Sequence, residues 1–287
     1  MGLDAWVRCR CWEEGKVKPS PFPEHTRLNL EEEAYFELDF PYKSNKDKYA
    51  LFDKWTQECC EHGDLHYARE RISNWGGYRL FQEALGQAGW EHFPVLKAEL
   101  PEHNGGSTAP EAAALALQEL DYFEGDARLG SVAVLVDTDS GFVIFEYIRG
   151  YDGVFIMSGR SGLEAGVDPQ GFFLREGNPP SRELFRARRF EQRLLGARPL
   201  VGYDGDVEYI DTEGGQRFVG RLTVTGQEIA WPDGRMEDDR GRSRFEYPVR
   251  LHVEERQRSA ADFAYIVEPL RAVFQAAVTV GNPVYWT

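Results

Sequence analysis

An α+β fold is what this sequence predicts: a helix-rich N-terminal part, then a mostly antiparallel β-sheet part with a C-terminal helix. Three observations carry the expectation. Apolar residues recur at helical intervals between positions 48 and 85, punctuated by Gly63, Gly76-Gly77 and Gly86. From residue 131 the texture changes to short runs rich in Val, Ile and Phe, separated by Asp-Gly and Gly-Gly turns. A serine-capped apolar stretch over residues 260–280 then closes the chain.

Taken in order, residues 5–12 read as a first strand. Lys18-Pro19-Ser20-Pro21-Phe22-Pro23 continues neither a helix nor a central strand. Glu31-Glu32-Glu33 reads as an acidic turn before a short strand at 35–38, closed by Pro41. Leu51, Phe52, Trp55 and Cys59 share a helical face over 48–62, with Gly63 past its end. Asp64 then reads as the N-cap of a second helix over 65–75, and a third follows over 78–85. Phe93-Pro94-Val95-Leu96 reads as a strand. Pro110 suits a first helical turn, so residues 112–123 are expected as a helix ended by Gly125.

In the β-rich part, runs at 131–136 and 142–147 flank Asp137-Thr138-Asp139-Ser140-Gly141, a hairpin signal. Further strands are expected at 154–157, 171–174, 207–210, 217–224, 228–231 and 245–253, with Gly159, Gly162 and Gly166 in a connection. Residues 181–195 place Leu184, Ala187, Glu191 and Leu194 on one helical face and read as a helix, a hairpin arm being the alternative. Pro269 is expected to kink the last helix. The change of texture sets two parts, 1–127 and 128–287.

Hydrophobic residues make up 42% of the 287 and aromatic residues 13%, which suits one large core or two modest ones and excludes a disordered chain. No apolar run is expected to reach the length that crosses a bilayer. Met1-Gly2-Leu3-Asp4-Ala5-Trp6 lacks the basic and apolar regions of a signal peptide, so the reducing cytoplasm is the expected location. The net charge of −15, from 48 acidic and 33 basic residues, argues against nonspecific binding to nucleic acid. It suits a basic protein partner drawn in by long-range attraction.

Against that acidic background, arginines gather at 182, 186, 188, 189, 193 and 198. Guanidinium forks match carboxylates and phosphates, so Arg186, Arg188 and Arg189 are candidate contacts for a small anion. Gly105-Gly106, ahead of a helix N-terminus, is a second candidate. The plainer alternatives are pairing of the arginines with neighbouring acids and simple turn formation by the glycines.

All four cysteines fall in two clusters, Cys9-Arg10-Cys11 and Cys59-Cys60-Glu61-His62. On a strand, side chains two apart share a face, which would set the Cys9 and Cys11 sulfurs together. Cys60 and His62 complete a set of three sulfurs and one nitrogen, the donor set of tetrahedral zinc. Cys59 or His66 can substitute for a member. The competing reading is buried free thiols, since cysteine behaves in cores as a small hydrophobe and Cys59 is in phase with Phe52 and Trp55. Met1-Gly2-Leu3-Asp4, Cys9-x-Cys11 and Cys60-Glu61-His62 together resemble a pattern in uncharacterised bacterial proteins, a resemblance that transfers no activity.

No nucleophile elbow, kinase set, dinucleotide fingerprint, Walker lysine or HExxH is present. The expectation is therefore a non-catalytic acidic binding protein, of the kind that neutralises a basic toxin as an immunity protein. A zinc-dependent enzyme with Glu61 or Asp64 as base is one alternative. A receptor for a small anionic ligand is the other.

Overall fold

The computed structural model describes residues 2–29, 35–157, 162–177, 181–196, 204–223, 227–229 and 244–287. Strands β1 (Gly2–Arg8), β2 (Thr26–Asn29) and β3 (Tyr35–Leu38) come before the first α-helix, α1 (Lys46–Glu58). Then follow β4 (His66–Asn74), α2 (Trp75–Ala88), α3 (Pro94–Glu99), β5 (Ser107–Thr108) and α4 (Pro110–Gly125). Next come β6 (Ser131–Asp137), β7 (Val143–Glu146), β8 (Val154–Met157), β9 (Leu163–Asp168), β10 (Gly171–Glu176) and β11 (Glu183–Ala187). The β-rich stretch continues with β12 (Arg189–Leu194), β13 (Asp204–Asp211), β14 (Arg217–Thr223), β15 (Gln227–Ile229), β16 (Arg244–Glu246) and β17 (Arg250–Gln257). Helix α5 (Ala264–Val280) and strand β18 (Val284–Trp286) close the chain.

The α+β class stands, with antiparallel sheets throughout the described residues. The helix-rich description of the N-terminal part is corrected: the chain enters through three strands, and the segment expected as a second helix is β4. Its exposed Tyr67, Arg69 and Arg71 alternate with half-buried His66, Ala68 and Glu70, a period of two that belongs to a strand. Pairing with β1 from Gly2↔Asn74 to Arg8↔His66 supplies the ladder that a local helical pattern could not outweigh.

The opposite exchange happens at residues 93–96, where the expected strand is the start of α3. Pro94 occupies its first turn, and the Glu119 carboxylate of α4 accepts the Val95 and Leu96 amide hydrogens, each at 2.8 Å. A negative group on those otherwise unpaired amides favours the helix.

The chain divides into two compact units, Met1–Leu129 with Ser259–Thr287, and Gly130–Arg258. Helix α5 and strand β18, placed by the sequence in the second part, thus belong to the first. In that unit the sheet runs β4-β1-β18-β5. Its core sets Leu3, Ala5 and Val7 of β1 against Phe81 of α2, Leu120 and Phe123 of α4, and Leu270 and Phe274 of α5. Trp286 of β18 pairs with Ala5 and donates its indole N–H to Thr108 Oγ1 at 3.1 Å. Residues Ala260–Val280 are long and apolar enough to cross a bilayer, contrary to expectation, and in this fold they furnish much of that core. The helix continues through Pro269.

The second unit holds a six-stranded sheet, β14-β13-β12-β17-β6-β7, and a four-stranded one, β11-β10-β9-β8, with the two-stranded ribbon β15-β16. The hairpin β6-β7 and strands β8, β10, β13 and β14 lie where the sequence places them. Trp231, the last residue of the expected 228–231 strand, lies outside the described residues. The helix expected at 181–195 is instead strands β11 and β12. Phe185, Ala187, Phe190 and Gln192 are buried, and the three apolar ones join a core with Leu135, Val167, Phe172 and Tyr209. Phe172 and Phe190 stack at 4.4 Å. Where a connection was expected, β9 runs through Gly166, at which a Cβ would run into the Phe173 ring, so glycine suits the close approach of these strands.

Candidate metal centre

Strand β1 ends at Arg8, so Cys9 and Cys11 lie in the turn beyond it rather than on a strand face. The turn is tight: Glu14 N–H donates to Arg10 O at 3.0 Å, Lys16 N–H to Cys11 O at 2.8 Å, and Gly15 takes φ 63. Facing it is the segment after α1. Cys59 caps that helix, and Cys60-Glu61-His62 leads into a turn where Asp64 (φ 53) and Leu65 (φ 60) are both left-handed.

Two successive non-glycine residues in that region cost about 1–2 kcal/mol each. Tertiary contacts hold them there. The Leu65 side chain is buried with Phe52, Trp55 and Leu38, and its carbonyl accepts the Cys9 N–H at 2.8 Å. Further along, Lys18 N–H donates to Cys59 O at 2.7 Å and Trp55 Nε1–H to Lys18 O at 2.8 Å. The two turns are therefore clamped together by backbone before any ligand atom is considered. The strained Leu65 is the supporting residue that sequence reasoning missed, because nothing in a leucine announces a left-handed backbone.

Between the clamped turns, Cys9, Cys11, Cys60 and His62 each present one ligand atom, and the four atoms all lie within 4.8 Å of one another. Cys9 Sγ is 3.9 Å from Cys60 Sγ, and Cys11 Sγ is 3.4 Å from His62 Nδ1. A tetrahedron built on Zn–S bonds of about 2.3 Å and a Zn–N bond of about 2.0 Å has S–S edges of about 3.8 Å and an S–N edge of about 3.5 Å. Both observed separations match those edges. The His62 backbone N–H also donates to Cys60 Sγ at 3.4 Å, and the same sulfur faces the His62 carbonyl at 3.3 Å.

Cys9 and Cys11 are buried, Cys60 and His62 half-buried. Burial pushes the Cys9 thiol up to about 12 and raises that of Cys11, since a lone thiolate there would be poorly solvated. A divalent cation held among these sulfurs would reverse that balance by displacing their protons. Cys59 has a different role. Its sulfur faces the Thr56 carbonyl at 3.6 Å, burial likewise pushes it up to about 12, and it packs with Phe52 and Trp55 as a core residue. His66 stands 4.5 Å from the Trp6 ring and is not in the ligand set.

The candidate anion contacts are not assembled in this way. Arg186 lies between Asp168 and Glu183, each at 2.7 Å, and Arg189 meets Glu213 at 3.4 Å. Arg188 donates to the carbonyls of Pro169 (3.4 Å) and Val253 (3.5 Å). Arg198 lies outside the described residues. Gly105 N–H donates to Trp286 O at 2.8 Å, and Gly106 O accepts the Trp286 N–H at 3.2 Å, so the glycine loop extends the β5-β18 pairing. With both at positive φ, these glycines serve the turn.

No protein-family model matches the chain, and neither a curated protein nor a solved structure matches it. The functional reading accordingly rests on the site.

Proposed function

We propose that this protein is a non-catalytic binding protein whose N-terminal unit is fastened by a structural zinc ion on Cys9, Cys11, Cys60 and His62. The observation that carries the reading is the convergence of three sulfurs and one imidazole nitrogen within 4.8 Å from two turns far apart in sequence. Four protein donors fill a tetrahedral sphere and leave no position for a reacting water. That favours a staple over a hydrolytic centre, and Glu61, exposed beside it, has no metal-bound water to act upon.

The binding partner is a basic protein, recruited by the net charge of −15, with toxin neutralisation as the corresponding biological role. A cytoplasmic setting, where thiols stay reduced, suits the ligand set.

Metal analysis of protein purified without added zinc tests the staple. One equivalent of zinc per chain, with a lower melting temperature after chelation, is expected; metal-free protein indifferent to chelator overturns it. Cobalt substitution tests the closed sphere, because tetrahedral Co²⁺ ligated by sulfur gives intense visible bands. Capture from source-cell extract at low and high salt tests the partner. An identified basic protein lost at high salt supports the proposal; salt-insensitive capture, or none, refutes it.

A further inference from the structure

The geometry points to the metal centre also being a thiol–disulfide site, in which oxidation joins Cys9 to Cys60 and expels the metal. The inference rests on the zinc reading for its second half and on the sulfur geometry for its first.

Cys9 Sγ and Cys60 Sγ already lie 3.9 Å apart, so a disulfide of about 2.0 Å needs the sulfurs to close by only about 2 Å. The backbone under both is fixed, through Cys9 N–H to Leu65 O on one turn and Lys18 N–H to Cys59 O on the other. The remaining sulfurs are close by, Cys11 beside both members of the pair, but each has a further contact of its own. Cys11 faces His62 Nδ1 at 3.4 Å. Cys59, only 1% exposed, neighbours Cys60 and turns its sulfur to the Thr56 carbonyl on its own helix. Access is asymmetric as well: Cys60 is half-buried whereas Cys9 is 1% exposed, so an oxidant meets Cys60 first.

With a hydroperoxide as oxidant, the Cys60 sulfur attacks the peroxide oxygen, the O–O bond breaks, and a sulfenic acid forms as one water (or alcohol) leaves. The Cys9 sulfur then attacks the sulfenic sulfur, the S–S bond forms and a second water leaves. Two electrons pass from the sulfur pair to the peroxide, and the two thiol protons depart in the waters. When the sulfurs begin as zinc thiolates, two protons come from solvent and the metal is left with Cys11 and His62, too few donors to hold it.

The new bond would link positions 51 apart, so a covalent cross-link replaces the metal one at the same point of the fold. Oxidised protein is therefore expected to remain folded while metal-free, which distinguishes this device from simple oxidative damage.

The test treats zinc-loaded protein with hydrogen peroxide. It follows zinc with a chromogenic chelator, thiols by alkylation, and the linkage by peptide mass spectrometry under non-reducing conditions. Expected are one equivalent of zinc released, loss of two of the four thiols, a Cys9–Cys60 linked peptide, and reversal by dithiothreitol with added zinc. Cys59→Ser retains the response; Cys60→Ser abolishes the linked peptide. Metal-free protein gives the same linkage, so an absence of zinc at the outset counts against the metal reading alone. A Cys9–Cys11, Cys11–Cys60 or Cys59–Cys60 linkage, oxidation to sulfinic acid, or zinc retained through peroxide treatment overturns this inference.

Discussion

The Cys11 sulfur stands 3.4 Å from Nδ1 of His62, across 51 positions of chain. Neither residue belongs to a helix or strand; each is held by a turn whose backbone is clamped to the other. A ligand pair set in this manner loses little conformational freedom when it takes up an ion.

Replacement of one ligand should therefore act on metal and stability together. Cys11→Ser is expected to lower zinc affinity at least about 10-fold, with melting temperature falling by about 2–4 °C for each kcal/mol lost. Cys59→Ser should retain a full equivalent of zinc, because Cys59 lies outside the ligand set. Competition with a chromogenic chelator and thermal melts measure both. Equal zinc loss in the two variants would contradict the assignment.

His66 gives the fold a mild acid sensitivity. Burial, helped by Arg69 and opposed by Asp64, lowers its pKa below the ordinary histidine value of about 6.5. The unfolded chain thus binds the proton more readily than the folded one. The stability contribution is fully present above about pH 6.5 and is lost as pH falls towards the lower folded value. His66→Asn should flatten the pH dependence of unfolding free energy in that window. An unchanged slope would show that His66 does not contribute.

At the start of α3, Glu119→Ala removes the acceptor for two amide hydrogens. Loss of about 1–3 kcal/mol is expected in denaturant unfolding, with Glu119→Asp, one methylene shorter, recovering only part. A change within experimental error would mean that water replaces the carboxylate without cost.

In the second unit, Phe172 is fully buried, stacked on Phe190 at 4.4 Å and on Tyr209 at 5.5 Å. Phe172→Ala should cost about 3–5 kcal/mol through lost burial and the cavity left behind. Phe172→Leu should cost less, since more of the volume is kept. Zinc content of the folded protein should be unaffected by either change, because the ligands belong to the other unit.

Local sequence determined a good share of this protein. The helix at α4, the β6-β7 hairpin and the Ser259-capped turn leading into α5 carry their periods and punctuation within a few residues, where short-range chemistry is sufficient. The donor set Cys9, Cys11, Cys60 and His62 was legible as well, because rare residue types gathered in two places. Tertiary structure decided the rest. Residues 66–74 and 183–194 became strands because partners distant in sequence offered complete ladders, and 94–99 became a helix because Glu119 capped it. The last segment joined the first unit because β18 pairs with β1 and α5 completes its core. The candidate metal site followed the same logic: composition supplied the cysteines and histidine, whereas they converge on turns in which the buried Leu65 is left-handed. Hydrogen-bond ladders, caps and strained turns take their stability from groups far along the chain, and a reading of neighbouring residues does not contain that free energy.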